Sequence, residues 1–485
     1  MADALWTIGE LAEATGGELR NANPAAPIHG ISIDSRTVTA GDAFFAIKGD
    51  RFDGHEFADA ALKARAGLAV VARDKVDTIT GKGPLLVVPD VLGALEDAGR
   101  AARARSKAKI VAVTGSVGKT STKEALRLAL SASGPTHASA ASFNNHWGVP
   151  LSLARLDRDM AYAVFEIGMN HPGEITPLVG MVRPHAAIVT TVDAVHIEYF
   201  KSVEEIADAK AEIFTGLVPG GHAIINRDNP HFERLRRAAR KAGATIIGFG
   251  ESRGARARLE KVALNPACSC VSARILGHSV TYKLGAPGKH LVMNSLAVLA
   301  AAEVMGADLA LAALSLQRLQ QPAGRGRRTA LSLRGGRATL IDESYNANPA
   351  SMRAALALLG QSAPAGKGRR IAVMGDMLEL GDQADALHAA LASDIASAGV
   401  DLVFASGPHM RALADALPPG RLARHADRSD GLRAALLETV SDGDVIMIKG
   451  SNGSRMAPLV EALCERYPPL QAEPAEEMEG RGTTC

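Results

Sequence analysis

The sequence has few aromatic residues, few cysteines and no long apolar run. Phenylalanine, tryptophan and tyrosine make up 4% of its 485 residues, and no basic block is interleaved with aromatics, so binding to nucleic acid is not expected. No stretch of 18 uninterrupted apolar residues occurs, so no membrane span is expected. The opening MADALWTIGELAEATGG lacks the basic start and the apolar core of a signal peptide. The four cysteines are expected to be free thiols in a reducing cytoplasm, and the chain is expected to be a monomer.

The length and the pattern of the chain predict an α/β protein of three domains. A single core rarely exceeds about 250–300 residues, and 47% of this chain is apolar. Strand-like and helix-like runs alternate throughout, which is typical of βα units around mainly parallel sheets. We expect a small α/β N-terminal domain at 1–106, a central parallel-sheet domain with a P-loop at 107–322 and a Rossmann-like C-terminal α/β domain at 323–467. The Pro-, Glu- and Gly-rich composition of 468–485 predicts a disordered tail.

A glycine-rich loop lies between an apolar strand at 110–114 and an amphipathic helix. Backbone N–H groups of such a loop converge on phosphate oxygens, and the helix N-terminus adds a partial positive charge. Lys119 would neutralise the β- and γ-phosphates, and the hydroxyl of Thr120 would bind magnesium. The spacing GxxGKT is shorter than the usual GxxxxGK[ST], so a tight structural turn is the alternative. The expected nucleotide-binding residues of this loop are Gly115, Ser116, Val117, Gly118, Lys119, Thr120 and Ser121.

Two further residues follow apolar strands and could serve metal ions. Glu166 ends the run AVFEIGM, where the open edge of a parallel sheet would present it. His196 lies just past the run IVTTV. A capping or edge glutamate and a structural histidine are the alternatives.

Lys210 lies on the apolar stripe of a predicted helix, SVEEIADAKAEIFTGL. Lysine rarely turns inward unpaired, because removing its ammonium from water is costly. The side chain could extend outward to solvent. Alternatively, a buried lysine with a lowered pKa could react with carbon dioxide to give a carbamate that binds magnesium.

The loop TGSVGKTST together with Glu166, His196 and Lys210 resembles the Mur ligases and the related folylpolyglutamate synthetases. That resemblance implies ATP, two Mg²⁺ ions served by Thr120, Glu166, His196 and Lys210, and N6-carboxylysine at Lys210. Further strings are similar to the branch of the family that adds D-alanyl-D-alanine, and the resemblance covers 1–465. These strings are FNNHWGVPLSL (143–153), EIGMNHPGEI (166–175), DESYNANPASMRAAL (342–356), GDMLELG (375–381) and KGSNGSRM (449–456). Two departures are Leu291, where the family often has asparagine, and an additional small polar residue in KGSNGSRM.

The resemblance also implies nucleotide contacts from the third domain, so ATP would lie between domains. Asn294 and Arg325 would contact the nucleotide, with Arg325 also near the transferred phosphate. Asp342 would hold the ribose, and Tyr345 and Asn346 would lie along the nucleotide. From the residues alone, 345–349 is a polar turn before a helix that begins near Ser351.

Substrate contacts are implied in all three domains. In the first domain, DSR (34–36) and RFDGHEF (51–57) resemble the part that binds uridine diphosphate, although surface loops are the alternative there. In the central domain the muramoyl substrate would face Asn144 and Asn145. The implied substrate residues are Ser35, Arg36, Asp53, His55, Asn144, Asn145, Lys449 and Ser451.

The activity that the resemblance implies is ATP-dependent carboxylate–amine ligation through an acyl phosphate. The expected substrates are UDP-N-acetylmuramoyl-tripeptide and D-alanyl-D-alanine, in the cytoplasmic assembly of peptidoglycan. The implied catalytic residues are Lys119, Glu166, His196, Lys210 and Arg325. A ligase of the same superfamily that adds a single amino acid is one alternative, and a P-loop protein without ligase activity is another. A switch protein would have no need of Lys210 on a buried stripe.

Overall fold

The structure is a computed structural model that describes residues 4–49, 52–81, 83–139, 143–195, 197–265 and 267–470. Three main β-sheets follow one another along the chain, each formed by its own stretch of sequence. Their strands lie within the three predicted domain ranges, whose boundaries remain predictions. Most of the predicted tail lies outside the described residues. Residues 468–470 run along a strand of the third sheet, where Ser332 N–H donates to Pro468 O and Leu470 N–H to Ala330 O.

The first domain has a five-stranded sheet in the order β2-β7-β6-β5-β4 and a separate pair of strands, β1 and β3. Its strands are β1 (Trp6–Thr7), β2 (Glu18–Arg20), β3 (Pro27–Ile28), β4 (Gly30–Ser32), β5 (Asp42–Phe45), β6 (Leu68–Ala72) and β7 (Leu85–Val88). Its helices are α1 (Ile8–Thr15), α2 (Ala58–Lys63) and α3 (Val91–Arg105), with 3₁₀ turns at Gly54–Phe57 and Arg73–Thr78. Helix α1 begins with a capping box, in which Thr7 and Glu10 satisfy each other's backbone N–H groups.

The central domain has a nine-stranded sheet in the order β16-β15-β14-β13-β12-β11-β8-β10-β9. Its strands are β8 (Lys109–Thr114), β9 (Thr136–Ala138), β10 (Tyr162–Glu166), β11 (Ala186–Val189), β12 (His222–Asn226), β13 (Thr245–Gly250), β14 (Ala257–Leu264), β15 (Ser269–Ile275) and β16 (His278–Leu284). Its helices are α4 (Lys119–Ser131), α5 (Gly148–Ala154), α6 (Ile175–Val182), α7 (Val203–Ala211), α8 (Phe232–Lys241), α9 (Lys289–Val304) and α10 (Leu309–Ser315), with 3₁₀ turns at Ile197–Tyr199, Glu212–Gly216 and Leu316–Arg318. Strands β8 to β14 are parallel, and β15 and β16 are antiparallel.

The third domain has a six-stranded sheet in the order β17-β18-β22-β19-β20-β21, parallel except for the edge strand β17. Its strands are β17 (Arg327–Leu333), β18 (Gly336–Glu343), β19 (Arg370–Gly375), β20 (Leu402–Ser406), β21 (Leu422–Ala426) and β22 (Val445–Lys449). Its helices are α11 (Pro349–Gly360), α12 (Ala384–Ser397), α13 (Met410–Ala416), α14 (Arg433–Thr439) and α15 (Ala457–Arg466), with 3₁₀ turns at Gly381–Gln383, Ser429–Leu432 and Asn452–Ser454. The structure thus has the predicted α/β class, with helices packed on parallel sheets.

Three predicted elements differ in their bounds, each for a local reason. Helix α11 begins at Pro349 and not near Ser351, because the Asn348 side chain caps it by accepting from Ser351 N–H. The helix that carries Lys210 stops at Ala211 and continues as a 3₁₀ turn. The run QPAGRGRR at 321–328 has a composition that predicts a loop, but the loop ends at 326, because the next two residues pair with β18.

One helix of the central domain completes the hydrophobic core of the first domain. Leu151 and Ala154 of α5 belong to the buried cluster formed mainly by α1, α3 and the first sheet. Gly99 of α3 lies where α5 approaches closely, since a Cβ there would meet Pro150 O at 3.1 Å and Leu153 Cβ at 3.2 Å. Trp6 Nε1 also donates to Ala154 O at 2.8 Å. Helix α5 therefore packs into both domains, since its residues Val149 and Leu153 belong to the core of the central domain.

Among the described residues, no helix is both long enough and apolar enough to cross a membrane.

We expect the protein to become less stable as the pH drops below about 6.5, and part of this loss to come from His137 of β9. Burial lowers the pKa of His137 from 6.5 to about 4, against a smaller opposing effect of a hydrogen bond to the Ser152 backbone. Its Nε2 is buried and has no hydrogen-bond partner among the described residues. The unfolded chain therefore binds the extra proton below pH 6.5, and stability is lost between about pH 6.5 and 4. Because the ring is only half-buried, we expect a loss of about 1–2 kcal/mol between pH 7.5 and 5.

Urea unfolding of wild type and His137→Gln at these two pH values measures this contribution. The variant should show a smaller pH-dependent loss, whereas His171→Gln, at an exposed histidine, should match the wild type. Equal losses in all three proteins would contradict the assignment to His137.

Candidate active site

A cavity of about 560 Å³ lies between the central and third domains, at the carboxyl ends of their parallel strands. Its central-domain wall is formed by the glycine-rich loop after β8, by residues after β10 and β11, and by the start of α9. The opposite wall is formed by the segment after β18, one face of α11 and Lys449 at the end of β22. Ligands of open α/β sheets bind at such strand ends, so both sheets direct their loops toward one site.

The loop between β8 and α4 has a backbone that only glycine permits at two positions. Gly115 has φ 150° and Gly118 has φ 84°. A Cβ on Gly115 would overlap Thr190 Oγ1, and one on Gly118 would overlap the Asn294 amide. Thr190 donates to Val117 O at 2.6 Å, and Ser116 Oγ donates to Asp193 O at 2.9 Å. These contacts fix the loop in an open curve at the start of α4, as a phosphate site requires.

Thr120, Glu166 and Asn144 form a connected polar group on one side of this loop. Thr120 Oγ1 donates to Glu166 Oε2 at 2.8 Å, and Asn144 Nδ2 donates to Glu166 Oε1 at 2.7 Å. Glu166 is 1% exposed at the end of β10, as its position after an apolar strand predicts. Asn144 also accepts from Gly168 N–H through its backbone oxygen. The structure thus brings a predicted metal residue and a predicted substrate residue into direct contact.

Lys119 turns its ammonium back into the loop, where Nζ donates to Gly115 O at 2.9 Å. Burial lowers the pKa of Lys119, Glu166 opposes this, and the positive charge of Arg325 lowers it further. Arg325 belongs to the third domain, so two cations from different domains approach the same space. An anion between them would relieve their repulsion.

Lys210 is buried in α7, with 3% of its surface exposed. The described residues form no ion pair or hydrogen bond with its ammonium. Burial, together with repulsion by Lys119, lowers its pKa well below the usual value of a lysine. The side chain therefore lies inward, as its place on the apolar stripe predicts, and within electrostatic reach of Lys119.

His196 lies outside the described residues, so its predicted role in metal binding stays a prediction.

Lys123, one helical turn after Lys119, is 1% exposed and donates to Ser139 O at 2.6 Å. This bond ties α4 to the start of the chain segment that leads to Asn144.

The predicted nucleotide residues of the third domain lie around its first loop. Arg325 packs over the Tyr345 ring, with Cζ 4.1 Å from the centroid, and both line the cavity together with Asn294 and Asn346. Asp342 is 8% exposed, and its carboxylate accepts from Gly324 N–H at 2.7 Å and from Ser344 Oγ at 2.6 Å. Asp342 therefore holds the loop that carries Arg325 in place, and its role toward a ribose stays a prediction.

Lys449 and Ser451 join loops of the third domain to one another. Lys449 is 2% exposed, and Nζ donates to Glu343 Oε2 at 3.2 Å and to Asn346 O at 2.9 Å. The Ser451 hydroxyl donates to Ala347 O at 3.2 Å and accepts from Leu378 N–H at 2.9 Å. Lys449 lines the cavity, and both side chains orient the neighbouring loops.

The substrate residues predicted in the first domain are not among the residues that line this cavity. Arg36 is exposed and pairs with Asp34 at 2.7 Å, and Ser35 beside it is half-buried. Asp53 Oδ1 lies 2.6 Å from His55 Nδ1, and His55 Nε2 accepts from Ala72 N–H at 2.9 Å. These last two side chains stabilise the turn after β5. In the central domain, the Asn145 side chain accepts from Gly148 N–H at 2.9 Å at the start of α5.

Sequence reasoning missed several residues that line the cavity. Thr190 and Asn226 follow β11 and β12, and the strand-end argument applied to Glu166 could have found them. Glu343 ends β18 and could have been found by the same argument, whereas His290 carries no such signal, because it meets the third domain only when the two domains come together. The missed lining residues include Thr190, Thr191, Asp193, Asn226, His290, Met293 and Glu343.

The oxygen atoms beside the glycine-rich loop fit a magnesium ion. Mg²⁺ prefers oxygen ligands and usually takes only one or two carboxylates, with water and phosphate oxygens completing the octahedron. Thr120 Oγ1 and the Glu166 carboxylate form such a pair. Among the described residues, no group of three His, Cys, Asp or Glu side chains could hold a metal without these additional ligands.

Family models match most of the chain. The Mur ligase family catalytic domain matches residues 27–119, the Mur ligase middle domain matches 113–302, and the Mur ligase glutamate ligase domain matches 326–452. All three matches follow the order of the three sheets.

Full-length relatives and solved structures agree with these matches. The UDP-N-acetylmuramoyl-tripeptide–D-alanyl-D-alanine ligase of Escherichia coli (strain K12) is 35% identical over 95% of this chain and 98% of its own length. The enzyme of the same name from Rickettsia prowazekii is 32% identical over 94% and 99%. A crystal structure of MurF from Acinetobacter baumannii has a TM-score of 0.82 at 31% identity, covering 95% of this chain and 99% of that one. MurF ligase from Thermotoga maritima in complex with ADP has a TM-score of 0.74 at 25% identity, covering 90% and 97%.

Proposed function

The chain belongs to the Mur ligase family, and we propose that it joins D-alanyl-D-alanine to UDP-N-acetylmuramoyl-tripeptide in peptidoglycan synthesis. It is an ATP-dependent ligase. The choice of substrates rests on the sequence match, over almost the full length of both chains, to relatives named for this reaction. ATP and uridine nucleotides are cytoplasmic metabolites, so we assign the reaction to the cytoplasm, and we retain the expectation of a monomer.

The proposed chemistry is the activation of a carboxylate by phosphoryl transfer. A free carboxylate is a poor acyl donor, because its leaving group would be oxide. The terminal carboxylate of the tripeptide attacks the γ-phosphorus of ATP, ADP leaves, and an acyl phosphate forms. The free amine of D-alanyl-D-alanine then attacks the acyl carbon, phosphate leaves, and the nitrogen loses a proton to give the peptide bond.

Lys119 and Arg325 supply positive charge from opposite sides of the cavity. The transferred phosphoryl group carries charge on its three outer oxygens, and catalysis of this step is mainly positioning and electrostatic stabilisation. The lowered pKa of Lys119 reflects burial beside another cation, which a bound polyphosphate would compensate. The glycine-rich loop presents backbone N–H groups to the same oxygens.

Thr120 and Glu166 would hold Mg²⁺, which when bound neutralises phosphate charge and lowers the repulsion between the two anionic substrates. Asn144 fixes the Glu166 carboxylate through its amide. A residue expected to face the muramoyl substrate therefore orients a residue expected to bind the metal. We retain His196 as a second metal residue on the basis of the family resemblance.

We also propose that Lys210 is carbamylated. Its lowered pKa leaves a population of neutral amine at neutral pH, and this amine can attack carbon dioxide. The neutral nitrogen forms a bond to the carbon and releases one proton. Together with the proton that the ammonium loses beforehand, two protons leave, so a buried cation becomes an anion. An anion at this place would attract Lys119 and the metal, where the ammonium repels them.

The reaction can be tested by phosphate release from ATP and Mg²⁺ with UDP-N-acetylmuramoyl-tripeptide, with and without D-alanyl-D-alanine. We expect sustained release only with both substrates, together with a pentapeptide product in the mass spectrum. Release that depends on a single amino acid and a shorter peptide would overturn the substrate assignment. No release with any pair would favour a P-loop protein without ligase activity.

A further inference from the structure

The loop after β10 runs from Glu166 to the start of α6 and forms part of the cavity wall. Gly168, Met169 and Asn170 of this loop line the cavity. Gly168 N–H donates to Asn144 O at 2.8 Å, so the loop lies beside a residue expected to face the muramoyl substrate. The loop therefore borders the side of the cavity at which the carboxylate of the tripeptide would enter.

Glu212, from a different element, holds the second half of this loop with three hydrogen bonds. It is half-buried and begins the 3₁₀ turn that follows α7. Its Oε1 accepts from Gly173 N–H at 2.7 Å, and its Oε2 accepts from Thr176 N–H and from Thr176 Oγ1, both at 3.0 Å. Thr176 lies in the first turn of α6, where N–H groups lack partners within the helix and a negative charge is favourable. Glu212 therefore caps α6 and fixes the turn that precedes it.

The turn that carries Glu212 is itself packed tightly on α6. A Cβ on Gly216 would overlap Val179 O, so the backbones of the turn and the helix are in direct contact. Ile213 of the turn and Ile175 of the helix are buried in the same hydrophobic core. The carboxylate of Glu212 is therefore held in a fixed place relative to the loop.

Glu174 holds the first half of the loop. It is the N-cap residue of α6, but its side chain makes no capping bond to that helix. Its Oε2 instead accepts from Asn170 N–H at 2.8 Å, and its Oε1 lies 2.9 Å from His171 Nδ1. Glu212 fixes the backbone on both sides of Glu174, and Glu174 fixes that of Asn170, so the position of Asn170 depends on Glu212.

The side chain of Asn170 offers unused hydrogen-bonding groups to the cavity. Asn170 is exposed, and its side-chain amide has no hydrogen-bond partner among the described residues. A carboxamide has two donors and one accepting oxygen. It can therefore bind a peptide unit through two bonds, by donating to the C=O and accepting from the N–H.

We propose that Asn170 binds a peptide unit of the nucleotide-linked tripeptide next to its reacting carboxylate, and that Glu212 is the positioning residue that holds Asn170 in place. This inference rests on the function proposed above and assigns two residues to its acyl donor. Asn170 follows Glu166 by four residues on the same cavity wall, so the peptide would lie behind the carboxylate that approaches the metal and the γ-phosphate. Two hydrogen bonds to one peptide unit allow a single orientation, which directs the carboxylate toward ATP.

Steady-state kinetics of Asn170→Ala and Glu212→Gln test the proposal. Glutamine keeps the length of the side chain, but it replaces one accepting oxygen with an amide group that cannot accept from an N–H. Each variant should raise KM for UDP-N-acetylmuramoyl-tripeptide about 5-fold to 50-fold and leave KM for ATP and for D-alanyl-D-alanine unchanged. Gln361→Ala and Glu204→Gln, at exposed positions outside the cavity, are matched controls and should behave as wild type.

The double variant separates positioning from a general effect on stability. Because Glu212 acts through Asn170, Glu212→Gln should not raise this KM further when residue 170 is already alanine. A merely structural role would lower the free energy of unfolding and leave the KM of the folded protein unchanged. Thr176→Val removes only the hydroxyl bond to Glu212 and should give a smaller, equally non-additive increase, so it replaces Glu212→Gln if that variant does not fold. Unchanged KM in Asn170→Ala, or additive effects in the double variant, would overturn the proposal.

The first half of the reaction shows whether the effect is on the acyl donor. Acyl phosphate can be trapped with hydroxylamine as the hydroxamate, without any dipeptide, and both variants should then need the same higher concentration of the nucleotide substrate. An effect that appears only when the dipeptide is present would overturn the proposal. A wild type that forms no pentapeptide would overturn the proposed function, and this inference with it. A wild type that forms pentapeptide while Asn170→Ala keeps a normal KM would overturn this inference alone.

Discussion

Replacing Lys119 with methionine is expected to lower kcat by about 10³-fold or more. The ammonium lies in the curve of the glycine-rich loop, where Nζ donates to Gly115 O, and methionine keeps the length of the side chain without its charge. Removing one cation that stabilises a transferred phosphoryl group typically costs about 10³–10⁵-fold in rate. The measurement is phosphate release at saturating ATP and both acceptor and donor substrates.

The same substitution at a distant lysine provides the control. Lys241 lies at the exposed end of α8, so Lys241→Met should retain wild-type activity. The circular dichroism and melting temperature of Lys119→Met should remain close to wild type, because the side chain is replaced by one of similar volume. A Lys119→Met variant with near-normal kcat would rule out the assignment of this loop to the phosphates.

Replacing Lys210 with methionine should change activity and stability in opposite directions. Lys210 is 3% exposed and has no ion pair among the described residues, so in buffer depleted of carbon dioxide, where it carries no carbamate, its replacement should raise the free energy of unfolding by about 1–3 kcal/mol. If a carbamate at this position serves the metal, the same variant should lose about 10²-fold or more in kcat. Urea unfolding and phosphate release measure the two effects on one preparation.

Carbon dioxide provides the second arm of the Lys210 experiment. Wild type prepared and assayed in buffer depleted of carbon dioxide should lose activity and regain it when bicarbonate is added. Lys210→Met should not respond to bicarbonate. A Lys210→Met variant that remains active, or a wild type that is indifferent to bicarbonate, would contradict carbamylation.

The parts of the site that the sequence predicted are those formed by residues close together in the sequence. Strand, glycine-rich loop and helix are consecutive at 110–131, so the curve around Lys119 could be predicted from spacing alone. Glu166 could be placed because an apolar strand ends at it. Lys210 could be placed on a buried stripe because helical periodicity extends over only a few residues around it.

The parts that the sequence did not predict depend on contacts between distant segments. Thr190 reaches Val117 because β11 lies beside β8, and no local pattern reports that order. Ser451 contacts Ala347 and Leu378 because β22 is inserted beside β18 and β19, where three loops converge. Helix α11 likewise begins earlier than predicted, because the Asn348 side chain caps it. The exact end of a helix depends on such individual side-chain hydrogen bonds, which periodicity does not report.

Helix α5 sets a limit on how this protein can be divided or recombined. The domain boundary predicted at residue 106 lies between two sheets, but Leu151 and Ala154, which follow it in the chain, fill the core of the first domain. A fragment that ends at 106 would expose the apolar face of α3 that α5 covers, and we expect it to aggregate. A chimera that exchanges the first domain with that of a relative should therefore place its second junction after α5, so that the borrowed domain brings its own helix. The packing of α5 on α3, and not the boundary predicted at residue 106, therefore determines where this chain can be divided.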